Sequence, residues 1–142
     1  MNRPLQSKEP LVKMALLQDT TLLDTEGDSM VNRSAVILKY KTPIVEWIND
    51  TDPREDFPEL NLEEANREKT IYLISEHDAE NLDRWLKMNF KSLFESELEN
   101  WYLDDCMWPK KRTMKVFQGW FDVECHTVII DTVGTPIEDD EA

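Results

Sequence analysis

Residues 78–131 read DAENLDRWLKMNFKSLFESELENWYLDDCMWPKKRTMKVFQGWFDVECHTVIID, and the fold is decided here. Ala79, Leu82, Leu86 and Phe90 recur at helical spacing, and Phe90, Leu93, Phe94, Leu98 and Trp101 continue the stripe. Apolar residues three and four apart lie on one face of an α-helix. Asp78 is the expected N-cap, because its carboxylate can accept from an orphan N–H of the first turn. A break is expected near Asn89. Asp104-Asp105 ends the helix, and Trp108-Pro109 bars its continuation, because the residue before a proline is pushed out of the helical region. Thr113 is expected to cap a last helix that turns Met114, Phe117, Trp120 and Phe121 inward. Asp122–Asp131 then reads as an apolar strand. Trp85, Trp101, Trp108 and Trp120 all fall in this stretch, and each buried ring removes about 150–250 Å² from water. Trp85 and Trp101 are expected in the core.

Working outward, Ser34–Lys41 carries Ala35, Val36, Ile37 and Leu38 in succession, as a strand buried on both faces would. Thr42-Pro43 signals a helix start, with Thr42 as cap. Ile44, Val45, Trp47 and Ile48 give that helix its apolar side. Asn49 to Pro58 is rich in turn formers and acids and reads as an exposed loop. Asn61 is expected to cap a short helix, and Lys69–Glu76 forms a second strand around Ile71, Tyr72, Leu73 and Ile74. The order of elements predicts an α+β domain: a small sheet of three or more strands with helices packed on one face. Residues 1–31 read as a weakly ordered N-terminal extension, 32–134 as the domain, and 135–142 as an acidic tail.

Composition narrows the chemistry. Sixteen Lys and Arg against thirty Asp and Glu give a net charge of −14. Such a surface repels phosphate backbones and anionic lipids, so neither nucleic acid nor membrane is an expected partner. No apolar run reaches the ~20 residues of a membrane span, and Lys13 interrupts the apolar run Leu11–Leu17. Cys106 and Cys125 are too few for a disulfide scaffold and lack zinc-ligand spacing, which points to reduced thiols and the cytoplasm. The chain holds three glycines, Gly27, Gly119 and Gly134, too few and too scattered for a phosphate-cradling loop or a dinucleotide fingerprint. No cofactor is expected.

Catalytic equipment is correspondingly sparse. On a strand, Asp122, Glu124 and His126 share one face. Carboxylates and an imidazole suit a divalent transition metal. If the strand ends meet, His77, Glu124 and His126 form an alternative metal site, with Glu76 or Asp122 as general base. Cys106 lies among Asp104 and Asp105, whose charge raises a thiol pKa and so opposes a reactive thiolate. Ser34, Ser75, Ser92 and Ser96 lack the context of a hydrolase nucleophile. Ser75-Glu76-His77-Asp78 reads as a strand end followed by a helix cap. No catalytic residue is assigned.

The charge map is more suggestive. Residues 95–105 hold five acids and no base, whereas Lys110, Lys111, Arg112 and Lys115 follow with no acid among them. Local ion pairing across the Trp108-Pro109 turn accounts for this at low energy. As a docking surface, the same region offers Tyr102, Asp104, Asp105, Trp108, Lys110, Lys111 and Arg112, with the aromatic residues as anchors. An acidic row of Glu95, Glu97, Glu99, Asp104 and Asp105 would alternatively mimic nucleic acid.

Several segments carry a resemblance. They are Arg33–Lys39, Pro43 with Trp47-Ile48-Asn49, Thr70–Leu73, Glu97-Leu98-Glu99, Trp108-Pro109-Lys110, Trp120–Glu124 and His126. Together, over Asn32 to Thr132, they resemble a family of small acidic bacterial proteins of uncharacterised function. The resemblance implies a bacterial cytosolic domain and supplies no catalytic residue. The expected function is a nonenzymatic module that binds a protein, either an unidentified partner or a second copy of itself as a homo-oligomer. A small metal-dependent, hydrolase-like enzyme is the alternative.

Overall fold

The computed structural model describes residues 29–53 and 58–140. The expectation for the N-terminal extension falls, up to residue 28, outside the described residues. The sheet is built on β2 (Ser34–Tyr40), with β3 (Ile71–Ile74) and β4 (Phe121–His126) antiparallel on either side in the order β3-β2-β4. Tyr72 and Cys125 both stand opposite Val36, and Phe121 stands opposite Tyr40. Because side chains alternate along a strand, Ser34, Val36, Leu38 and Tyr40 share one face with Ile74, Phe121 and Cys125, and all seven are buried. On the opposite face Ile71 and Leu73 are half exposed and Lys39 is exposed. The chain is thus an α+β domain with a small three-stranded sheet.

The helices are α1 (Thr42–Thr51), α2 (Leu62–Ala65), α3 (Glu76–Glu80), α4 (Leu82–Glu99) and α5 (Met114–Trp120). On α4, Leu82, Leu86, Leu93, Phe94 and Leu98 are buried, as the sequence spacing requires. Phe94, Phe117 and Phe121 form the centre of the core, with ring centroids 5.1–6.0 Å apart. These tilted and edge-on contacts stabilise beyond the area they bury.

Several boundaries differ from expectation. Lys41 is the cap of α1 and Thr42 its first residue, so Pro43 lies within the first turn, where its missing N–H has no intrahelical partner to lose. Ser75, not Asp78, caps α3 by accepting from the Asp78 amide. The break in the long helix falls at Asn81 rather than Asn89, and α4 then runs unbroken to Glu99. Thr113 caps α5 and Asn61 forms a full capping box with Glu64, as those residue types favour. The last strand is interrupted. β4 ends at His126, and β5 (Ile130–Asp131) pairs with β1 (Ser29–Met30) in a separate two-stranded ribbon. Met30 therefore belongs to the folded body, ahead of the expected boundary at Asn32. No helix among the described residues is long and apolar enough to cross a membrane.

Candidate functional site

The segment from Trp101 to Thr113 crosses the end of α1 as an irregular turn containing one 3₁₀ turn, Asp105–Met107. It is fastened by its aromatic residues. The Tyr102 hydroxyl donates to the Ile48 carbonyl at 2.6 Å, and the Trp108 indole donates to the Tyr102 carbonyl at 2.8 Å. The Trp47 indole on α1 donates to the Met107 carbonyl at 3.2 Å. Trp47 and Tyr102 meet edge to face, 5.2 Å between centroids. Asp104 caps the 3₁₀ turn by accepting from the Cys106 amide. These bonds satisfy backbone groups that an irregular segment would otherwise leave to water.

The docking residues read from the sequence therefore divide. Tyr102 and Trp108 are half-buried struts of the turn. Asp104, Asp105, Lys110 and Lys111 are exposed. Arg112 is committed inward: it donates to the Pro109 carbonyl at 2.7 Å, lies 5.7 Å from the Trp108 ring centroid, and pairs with Glu95 at 3.5 Å. Sequence reasoning missed the residues that the turn presents outward. Leu103 is 83% exposed, and Met107 and Trp101 each 36%. Leu103 lies outside every helical period, which was the available signal. We predict that Trp108→Phe, which keeps an aromatic ring but removes the N–H donor and some packing volume, lowers stability by about 1–2 kcal/mol. A urea melt checks this, with the turn's amides losing exchange protection before the sheet's.

A cleft of about 570 Å³ lies between α4 and the stretch leading into α5, lined by Phe90, Lys91, Lys110, Lys111, Arg112 and Met114 together with Glu95 and Thr113. Four cations face one carboxylate there. Arg112–Glu95 is the ion pair found within 4.0 Å among the described residues, and it leaves Lys91, Lys110 and Lys111 without one. The ion pairing expected across the Trp108-Pro109 turn is thus a single contact.

The acidic row does not form. Glu97 is only 3% exposed and turns into the core. Its carboxylate accepts from the Tyr40 hydroxyl at 2.7 Å and from the Tyr72 hydroxyl at 2.5 Å, and the Tyr40 oxygen in turn accepts from the Trp101 indole at 2.9 Å. The Tyr40 phenol has its pKa pushed up, first by burial and then by the Glu97 charge. Tyr72 is pushed up by burial and by its hydrogen bond to Glu97. The Lys69 ammonium rests 3.5 Å from the Tyr40 ring centroid. It is buried without a hydrogen-bond partner, and that burial lowers its pKa against the pull of Glu97. A second cavity of about 610 Å³ opens beside this network, under Trp101. Trp101 is therefore a wall of this cavity rather than a core residue, while Trp85 is partly buried against the core.

The metal candidates are dispersed. Glu124 and His126 lie on β4 opposite Ile37 and Ala35, whereas β3, which leads to His77 on α3, flanks the other edge of β2. Among the described residues, the set whose ligand atoms fall within 4.8 Å of one another is Asp104, Asp105 and Cys106, all exposed, and it includes none of His77, Glu124 and His126. The Cys106 thiol is pushed up by its hydrogen bond to Asp104 and by the charges of Asp104 and Asp105, the opposite of what a ligating thiolate requires. Cys125 is buried in the core. No family model, curated protein or solved structure matches the chain.

Proposed function

We propose that the chain is a nonenzymatic protein-binding module whose docking face is the turn at residues 101–113. The observation that carries this reading is the brace beneath the turn. Three aromatic side chains pin the turn by hydrogen bonds, Trp47 and Trp108 to the turn's own carbonyls and Tyr102 to the Ile48 carbonyl of α1, while Leu103 stands 83% exposed at its surface. A large aliphatic side chain in water, on a backbone already fixed, loses little conformational freedom when a partner covers it. The aromatic residues first read as anchors act instead as the support. Leu103 and Met107 are the anchors, and the exposed carboxylates of Asp104 and Asp105 form a polar rim of the kind that sets register and association rate more than affinity.

Among the described residues Glu97 is the one buried carboxylate beside a cavity, and it already accepts from two phenols, which suits a structural role better than proton transfer. The test is capture of partners from an extract by immobilised full-length chain, in parallel with Leu103→Asp. We predict one protein retained in stoichiometric amount by the wild type and lost from the variant, with the variant's melting temperature unchanged within about 2 °C, as for an exposed position away from structural contacts. Equal retention by both chains would remove the turn from the interface.

A further inference from the structure

We propose that the basic cleft between α4 and the start of α5 receives the stretch Ile137–Asp140 of a second copy of this chain. The cleft uses the basic end of the turn, Lys110–Arg112, together with α4, and Leu103, the anchor of the docking face, takes no part in it.

The cleft is anomalous for this protein. In a chain of net charge −14, Lys91, Lys110, Lys111 and Arg112 gather around one space with Glu95 as the sole acid. Three of these cations have no ion-pair partner within 4.0 Å among the described residues. Crowding like charges without counter-charge is unfavourable, and an anionic occupant relieves it. Phe90 and Met114 add an apolar lining, so the fitting occupant is an aliphatic side chain followed by carboxylates rather than a bare anion.

The chain itself carries that pattern. Residues 135–142 read TPIEDDEA, one aliphatic residue followed by four consecutive acids. Ile137 is 69% exposed, and residues 132–140 lie outside every helix and strand. None of residues 137–140 lines the cleft of the same copy. Placed in the cleft of a second copy, Ile137 covers Phe90 and Met114, and the carboxylates reach Lys110, Lys111 and Lys91. Pro136 restricts the backbone before the acids and lowers the ordering cost of an extended segment. Mutual repulsion of two acidic bodies is screened beyond about 8 Å at physiological ionic strength, whereas the contact itself lies inside that distance. If each copy gives its stretch and receives the other's, the assembly closes as a two-fold dimer.

The test is light scattering over a range of protein concentrations, together with amide chemical-shift mapping of the full chain titrated with a synthetic peptide of residues 135–142. We expect the wild-type mass to rise toward that of a dimer with concentration. A chain ending at Gly134, and the double variant Lys110→Glu/Lys111→Glu, should both remain monomeric, and Leu103→Asp should associate as the wild type does. The peptide should shift amides around Phe90, Lys91 and Lys110–Met114, lose this effect on the charge-reversed chain, and return the dimer to monomer. If charge reversal unfolds the chain, Lys110→Ala/Lys111→Ala serves with the same expectation. A wild type that stays monomeric would overturn the proposal. So would association that survives truncation or the lysine substitutions, or peptide shifts that inorganic phosphate reproduces at equal charge.

Discussion

Replacing Glu97 with Ala should cost about 3–5 kcal/mol, near the top of the range for a single substitution. The side chain is buried and accepts from two phenolic hydroxyls. Removing it leaves a cavity and strips both hydroxyls of their acceptor in a region closed to water. An unmade buried hydrogen bond costs the desolvation of its donor, about 1–3 kcal/mol each. At this chain length the loss corresponds to a drop of roughly 10–20 °C in melting temperature. Glu97→Gln should be much milder, about 1–2 kcal/mol, because the amide can still accept from one phenol and donate to the oxygen of the other. Calorimetry on the two variants decides the matter. Equal losses would mean that the amide replaces neither hydrogen bond, so that the carboxylate itself and not the filled volume carries the stability. Tyr40→Phe combined with Glu97→Ala should cost less than the sum of the single changes, since the two residues share one interaction.

Glu97 also shows where the sequence stops being legible. Read along the chain, it alternates with Glu95 and Glu99 and belongs to an acidic row. On a helix, residues two apart point in different directions. Glu95 therefore meets Arg112 while Glu97 enters the core beside Leu98 and Phe94. The carboxylate's partners, Tyr40 and Tyr72, come from β2 and β3, 57 and 25 residues away. No local pattern can announce such a partnership, because Tyr40 closes the strand pattern that begins at Ser34, Tyr72 sits between Ile71 and Leu73, and both read simply as strand formers. What periodicity does capture, it captures well: the buried stripe of α4, the succession Ala35–Leu38 in the central strand, and the cap residues Asn61 and Thr113 are all local in origin. Failures cluster where two local signals compete. Ser75 and Asp78 are both competent caps, and the chain uses the earlier one; the helix break falls at Asn81 rather than Asn89. The run Val128–Ile130 continues a strand pattern, yet the ladder ends at His126, and Ile130 pairs with Met30 instead.

In sequence, Tyr102 and Trp108 read as the exposed aromatic residues of the turn, whereas the structure half-buries both and exposes Leu103 and Met107. Tyr102 and Trp108 carry polar groups that find backbone acceptors, and an aromatic residue with a satisfied N–H or O–H buries easily. Leu103 and Met107 have no such recourse in an irregular segment, so they remain outside. The basic cleft follows from the same geometry. The turn returns the chain to α4 at Glu95, where among the described residues Arg112 finds the carboxylate, and Lys110 and Lys111 just before it line the same cleft as Lys91.

Above about pH 10 the folded chain should lose stability steeply, and the Glu97 network determines the sign. Tyr40 and Tyr72 have folded pKa values raised above the ordinary value near 10. As pH climbs past 10 the unfolded chain releases these protons while the folded chain keeps them. The folded state then binds more protons, and stability falls with pH. Lys69 acts in the other direction. Its folded pKa is lowered, so between that value and the ordinary value of about 10.4 the unfolded chain holds the extra proton and stability rises with pH. That contribution ends where the tyrosine contribution begins. From there each phenol should contribute a slope of about 1.4 kcal/mol per pH unit, and the pair about 2.8. Tyr40→Phe or Tyr72→Phe should each remove about half of the slope, even though each also lowers stability at neutral pH. Urea unfolding from pH 9 to 12 measures the slopes. Absorbance near 295 nm provides the independent check, because two of the three tyrosines should ionise only as the chain unfolds. Full ionisation near pH 10 with the fold intact would show that Glu97 does not hold the phenols as described.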